Sequence, residues 1–478
     1  MATTAGAKKG LWSTIRRIAA SDRISGLIML GFALTGLVLA NLPATAHAFE
    51  TVAETHLFIP YTNLDLPIGH WAQDGLLTIF FLTVGLELKQ ELTTGSLANP
   101  KAAAVPMLCA VGGMIAPPIL FLAVTALFSQ IGPGEPGTLI LTTTGSSIPF
   151  SEMSHGWAVP TATDIAFSLA VLALFAKALP GSIRAFLMTL ATVDDLLAII
   201  LIAVFFSSIN AWYWFIGIAV CAAIWAYLVR LKKVPWIAVG IVGILAWIMM
   251  FEAGVHPTLA GVLVGLLTPS REMHGELSPR AERYANKLQP FSALLALPIF
   301  ALFATGVHFE SMSPLLLASP LVIALIVALV VGKPLGIITT AWLATHVGGL
   351  KMAKGLRVRD MIPAAVACGI GFTVSFLIAS LAYKNAELSA EARFGVLVAS
   401  LIAAAISGVL LSRQSKRFEK AAAAQAAAAE ALVDAEAGES IDGNGTGQPS
   451  RTTKPTTPTE HPGTLADGTA SVEIDFRH

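Results

Sequence analysis

Charge is scarce in this chain. Asp, Glu, Lys and Arg together make up 13% of its 478 residues, against about 25% in an ordinary soluble domain. So few charges cannot coat the roughly three soluble globules that the length alone would suggest. Cysteine is rarer still. Cys109, Cys221 and Cys368 lie far apart inside apolar stretches, which excludes a disulfide framework or a clustered-thiolate metal site and makes them small core residues. Neither sign of charge predominates, because 30 basic residues meet 30 acidic ones. A nucleic-acid partner, which would require a basic face, is therefore not expected.

Apolar residues are abundant instead. They form 55% of the chain, and the mean hydropathy is +0.73. A bilayer core accepts about 20 apolar residues as a helix. Such runs fall at about 24–42, 72–92, 102–128, 151–176, 182–206, 211–230, 234–251, 254–268, 284–305, 317–345, 359–383 and 393–412. The reading is an all-α polytopic membrane protein with about 12 transmembrane helices. The first run follows Lys8, Lys9, Arg16 and Arg17 and precedes Ala46-His47-Ala48, an arrangement with some likeness to a secretory signal. Its length and the many spans after it favour a retained helix. Residues 1–23 then form a cytoplasmic segment, 24–413 the transmembrane unit and 414–478 a cytoplasmic tail. Residues 418–434, rich in alanine, suit a short soluble helix. From Glu436 onward Gly, Ser, Thr and Pro dominate, and the chain is expected to be disordered.

Basic residues alternate along the loops. Arg16, Arg17 and Arg23 precede the first span, while 43–70 holds no Lys or Arg. Lys89 and Lys101, Lys177 and Arg184, then Arg230, Lys232 and Lys233 mark every second connection. So do Arg271, Arg280, Arg283 and Lys287, then Lys351, Lys354, Arg357 and Arg359, and finally Arg413, Lys416 and Arg417. Only Lys384 and Arg393 stand on the basic-poor side. By the positive-inside rule both termini of this multi-pass protein are expected to be cytoplasmic.

An ionisable group at membrane depth is costly, so its default reading is functional. Asp164, Asp194, Asp195 and Lys333 are such groups. Adjacent helical residues point about 100° apart, so Asp194 and Asp195 do not readily share one partner. Lys333 neutralises one of them. The other needs a proton or a metal ion, and competition between those two is a chemical basis for cation–proton exchange. Asp164 follows Pro160 and Thr161, beside Thr163, where proline interrupts a helix. Gly369 and Gly371 interrupt a later one, either as a plain kink or as a second break. Two crossing breaks would set like dipole ends together, an aspartate answering paired N-termini and a lysine paired C-termini. Asp74, near a span start, reads as a solvated or capping residue. Glu87, Lys89 and Glu91 are either a solvated helix end or sensors of cytoplasmic protons. His256 is either a helix-start residue or a group titrating near neutral pH.

Several motifs together resemble the NhaA family of bacterial Na⁺/H⁺ antiporters. They are Gly85-Leu86-Glu87, Ala162-Thr163-Asp164-Ile165-Ala166-Phe167, Asp194-Asp195-Leu196, Gly254-Val255-His256, Gly332-Lys333-Pro334-Leu335-Gly336 and Cys368-Gly369-Ile370-Gly371-Phe372-Thr373. The resemblance runs from about Ser21 to Arg413. It implies an inverted-repeat transporter fold in which spans 3–5 and 10–12 are related and two broken helices cross. It also implies an electrogenic, pH-regulated exchange of Na⁺ or Li⁺ for H⁺ by alternating access, with no cofactor. Asp195 would be the main cation carboxylate, Asp194 would pair with Lys333, and Asp164 and Thr163 would support the crossing. Glu87, Lys89, Glu91 and His256 are the pH-sensing candidates. The partners would be small cations, the lipid bilayer and a second copy in a homodimer joined partly through 43–70. Gln90 departs from the family pattern, where an arginine is usual, and so does the charge spacing from Arg280 to Gln289. A sodium-coupled solute symporter of related fold is the alternative. An intramembrane aspartyl protease is disfavoured, because neither Asp164 nor Asp194 has a Gly-x-Gly-Asp setting.

Overall fold

The computed structural model describes residues 17–19, 21–58, 64–132, 135–141, 145–176, 179–306, 314–352 and 356–442. Lys8, Lys9, Arg16, Lys177, Lys354 and the end of the tail from 443 lie outside them. Helices dominate because a bilayer offers no hydrogen-bond partners, so the backbone must satisfy itself. The helices are α1 (Asp22–Asn41), α2 (Ala46–Glu54), α3 (Leu77–Thr93), α4 (Pro100–Ile131), α5 (Phe150–Thr161) and α6 (Ile165–Phe175). There follow α7 (Gly181–Phe205), α8 (Trp214–Leu228), α9 (Trp236–Glu252), α10 (Leu259–Leu267) and α11 (Arg280–Thr305). Last come α12 (Pro320–His346), α13 (Val358–Ala367), α14 (Phe372–Ala382) and α15 (Ala386–Asp442). Two antiparallel hairpins decorate the connections. One pairs β1 (His56–Phe58) with β2 (Asp65–Pro67), and the other pairs β3 (Thr138–Ile140) with β4 (Ser147–Pro149).

Each apolar run in the sequence contains helix, but the runs are not equivalent. Among the described residues six helices are long and apolar enough to cross a membrane, or up to eight if each bent pair is one span. The bent pairs are α5 with α6, at 50°, and α13 with α14, at 58°. The apolar helices α8 and α9 are shorter, with 15 and 17 residues. Helix α3 has 17 residues, follows a π-turn at Trp71–Leu76, and carries Glu87, Lys89 and Glu91 near its end. Helix α10 has only nine residues.

The two triplets α4–α7 and α12–α15 share one plan, a long helix, a bent pair and a long helix. They pack on each other, α4 on α12, α5 on α14, and α6 on both α13 and α15. The first half of one broken helix therefore lies beside the second half of the other. All three cysteines are buried and free of disulfides, Cys109 and Cys368 within these two triplets and Cys221 on α8.

The tail differs from expectation. Helix α15 does not stop near Arg413 but runs unbroken for 57 residues in all, from Ala386 to Asp442. Between Ala386 and Asp442 no proline interrupts it, and alanine, the strongest helix former, fills 421–424 and 426–429.

Loop 269–279 is also tied down. Arg280, completely buried, donates to the carbonyls of Val229 and Leu231 at 2.7 Å each, beyond the end of α8. It also grips the Glu276 carboxylate through Nε and Nη2. That hydrogen bonding holds the Glu276 carboxyl below its ordinary range.

The short α10 is held by close backbone contact with α3, a recurrent way of packing helices where lipid is as apolar as leucine. A methyl group on Gly265 would meet the Gly85 carbonyl carbon and the Leu86 nitrogen at 2.8 Å, whereas one on Gly31 of α1 would meet nothing within 4 Å. Gly265→Ala should therefore destabilise the protein by about 1–3 kcal/mol, and Gly31→Ala should not. Thermal unfolding in detergent compares them directly. Equal melting of the two variants would contradict the contact.

Candidate cation site

Both helix breaks are built by local sequence. Pro160 ends α5 in a 3₁₀ turn, and Ala162, Thr163 and Asp164 run on without helix before α6. In the second break, Cys368 to Gly371 separate α13 from α14, and Phe372 adopts a positive φ of 23°. Each break exposes the end of one half-helix and the start of the next, leaving backbone groups that need partners.

Asp164 serves both starts. Its Oδ1 accepts from the Phe167 amide at 2.9 Å, capping α6. Its Oδ2 accepts from the Thr373 hydroxyl at 2.8 Å and the Thr373 amide at 3.3 Å, at the first turn of α14. One carboxylate thus faces two N-terminal dipoles, each equivalent to about half a positive charge. The Asp164 amide in turn donates to the Ile370 carbonyl at 2.7 Å.

The two C-terminal ends are answered separately. Lys333 donates to the Thr161 carbonyl at the end of α5. At the end of α13, Thr163 Oγ1 donates to the Cys368 carbonyl and Ser168 Oγ to the Ala367 carbonyl, each at 2.9 Å. Among the described residues Lys333 hydrogen-bonds only the first of these two ends. The ammonium is held by its carboxylate partner, and hydroxyls from α6 and its lead-in cover the second end. Thr373 and Ser168 carry no charge that marks them in sequence. The Thr373 hydroxyl could be suspected only from its place just after the glycines.

Lys333 stands immediately after a π-turn, Val327–Gly332, in α12. It is fully buried, and its Nζ lies 2.8 Å from Asp194 Oδ2, whose residue is 1% exposed. The other oxygen of Asp194 is buried without a hydrogen-bond partner among the described residues. Asp195, the next residue of α7, is 7% exposed. It makes no hydrogen bond or ion pair with any described residue. A carboxylate so placed can take either a proton or a small cation.

The outlying candidates separate. Glu87 is exposed on α3, and Lys89 is half-buried. Glu91 is folded back, its Oε2 accepting from the Ser96 amide at 2.9 Å and the Ser96 hydroxyl at 2.8 Å, which makes it a brace for the turn after α3. His256 is buried, and its Nε2 lies 3.8 Å from Asp74 Oδ1. Asp74 is not the solvated residue its position suggests but is 8% exposed in the π-turn. Among the described residues neither of these facing atoms has a hydrogen-bond partner, nor does the hydroxyl of Thr258, two residues after His256, and Trp247 closes the region by donating to the Asp74 carbonyl at 3.0 Å.

Comparison with known proteins agrees with this geometry. The family model described as Na⁺/H⁺ antiporter 1 matches residues 16–411. The chain is 97% identical, over the full length of both proteins, to a Na⁺/H⁺ antiporter NhaA of Bifidobacterium longum. It is 86% identical, again over both full lengths, to one of Bifidobacterium breve. With a Na⁺/H⁺ antiporter NhaA 3 of Streptomyces coelicolor it shares 38% identity over 83% of this chain and 80% of the other. A multi-pass helical membrane protein with two helix breaks braced by Asp164, this chain belongs to the Na⁺/H⁺ antiporter 1 (NhaA) family, a family of transporters rather than enzymes.

Proposed function

We propose that this protein exports Na⁺ or Li⁺ across the bacterial cytoplasmic membrane in exchange for protons, by alternating access at Asp194 and Asp195. The observation that carries the reading is Asp195, a buried carboxylate without a hydrogen-bond or ion-pair partner among the described residues, beside an intact Lys333–Asp194 pair. Na⁺ and H⁺ compete for Asp195. A second proton leaves either Asp194 or Lys333 when their pair opens, and the two titrate as a unit. Two protons against one Na⁺ make the cycle electrogenic. Residues 24–413 form the transport unit, both termini are cytoplasmic, and two copies associate as a homodimer. Asp164, Thr163 and Lys333 hold the crossing.

Asp195→Asn should therefore reduce Na⁺-induced proton flux in vesicles to background while the protein remains folded, because an amide cannot exchange H⁺ for Na⁺. Asp194→Asn should abolish the voltage dependence of the flux or, by stranding Lys333, disable the protein. In the wild type each charge crossing 100 mV is worth about 2.3 kcal/mol, so a clamped potential must change the rate. Flux indifferent to voltage would sink the two-proton cycle.

Regulation by pH is assigned to Glu87 and Lys89 near the Lys/Arg-rich mouth and to the His256–Asp74 pair. The pair's facing atoms, 3.8 Å apart and otherwise unsatisfied, suit a shared proton or a bridging water. Glu91 contributes by bracing its turn. Glu87→Gln and Asp74→Asn should each displace the pH of half-maximal exchange while leaving measurable maximal rate. Profiles that coincide with wild type would reduce both residues to structural roles.

The family model ends at residue 411, so the tail is assigned no part in exchange. Truncation at Glu436 should leave insertion and Na⁺-driven proton flux intact. Loss of flux in a correctly inserted truncated protein would give the tail a function.

A further inference from the structure

One face of helix α15 changes from apolar to cationic where the helix leaves its apolar run, 393–412. Within that run Ile406 and Val409 are exposed, at 41% and 52%, whereas Leu411 is fully buried. About 20 apolar residues cross a bilayer core as a helix, so the exposed pair meets acyl chains and Arg413 begins at the level of the headgroups. Arg413, Lys416, Arg417 and Lys420 are all exposed. Counted from Ile406, the six residues fall at i, i+3, i+7, i+10, i+11 and i+14. At 3.6 residues per turn those positions share one side of the helix. The cationic stripe is therefore the direct continuation of the lipid-facing one.

The opposite side of the same turns is anchored. Gln414 Nε2 donates to the Asp360 carbonyl at 2.7 Å, at the start of α13, and Phe418 packs against the core. These contacts fix the rotation of α15 and keep the stripe turned outward. Among the described residues none of the four cations makes a side-chain hydrogen bond or an ion pair. Other basic residues are engaged. Arg280 and Arg283 share Glu276, and Arg230 donates to the Ala226 carbonyl. Glu419 is the one acidic residue between 413 and 429, and at i+13 it lies outside the stripe.

We propose that this face of α15 is a docking strip for an anionic phospholipid. An acyl chain lies along Ile406 and Val409, and the phosphate is held at Arg413, Lys416 and Arg417. Long basic side chains at a helix end bury their stems in apolar surface and carry their charge to the interface. A guanidinium grips a phosphate through two parallel hydrogen bonds, and a cluster of cations just beyond a membrane span attracts anionic lipid. The continuity of the apolar and cationic stripes selects a lipid over a soluble anion, because only a lipid presents chain and charge in that order. This assignment does not depend on the transport reading.

The test counts lipids on the purified full-length protein by native mass spectrometry, after washing in a neutral detergent. The probes are dioleoyl phosphatidylglycerol, dioleoyl phosphatidylcholine with the same chains, and inorganic phosphate. Arg413→Gln/Arg417→Gln should retain one phosphatidylglycerol fewer per chain than wild type at saturation. Lys351→Gln/Lys384→Gln removes the same charge from exposed positions elsewhere and should retain the wild-type number. The lipid lost should be one that phosphatidylcholine does not replace and that equimolar inorganic phosphate does not displace. Thermal unfolding checks that both variants are folded. Four results would overturn the proposal. They are equal lipid counts in wild type and folded Arg413→Gln/Arg417→Gln, equal retention of the two lipids at the stripe, displacement by inorganic phosphate, which would mark a site for a soluble anion, and binding that appears only after truncation at Glu436, which would give the stripe to the chain's own tail.

Discussion

Two interrupted helices cannot cross inside a membrane unless something answers the like ends that they bring together. Here Asp164 meets both N-termini, through Phe167 on one side and Thr373 on the other. The opposite ends are met by Lys333 at Thr161 and by the Thr163 and Ser168 hydroxyls at Cys368 and Ala367. Every other feature of the site follows from that crossing. The breaks hold backbone carbonyls and a carboxylate at depth without exposing them to lipid, which is the condition for irregular backbone inside a bilayer.

Lys333 links the crossing to the aspartates. Its ammonium touches a broken-helix carbonyl and the Asp194 carboxylate at once. Opening the Asp194 pair would therefore leave the end of α5 as the lysine's remaining partner. Removing one member of a buried pair typically costs about 3–5 kcal/mol, large against the stability of an ordinary domain. The pair is thus a structural tie between α7, α12 and the end of α5. A nearby π-turn, Val327–Gly332, sets the direction from which Lys333 enters.

The charged part of this arrangement was legible in the sequence because the bilayer makes it so. Asp164, Asp194, Asp195 and Lys333 stand in apolar runs where a charge is expensive, and proline and glycine mark the two breaks. What was not legible lacked such a penalty signal. Ser168 and Thr373 are hydroxyl residues whose partners lie on helices about 200 positions away. Asp74 sits near a span start, where an aspartate is ordinary, and only the fold brings it to His256. Glu91 matched a charged cluster by spacing, yet its carboxylate is turned to Ser96 because the chain bends back there. The extent of α15 follows from helix propensity as well as apolarity, so the apolar run 393–412 and the alanine-rich 418–434 join in one helix.

The account turns on Asp195 exchanging a proton for a cation. Calorimetric Na⁺ titration of the purified protein, in two buffers of different ionisation enthalpy, counts protons released per Na⁺ bound. The account predicts proton release from the wild type and neither release nor saturable Na⁺ binding from Asp195→Asn. Saturable Na⁺ binding without proton release, in either protein, would contradict it.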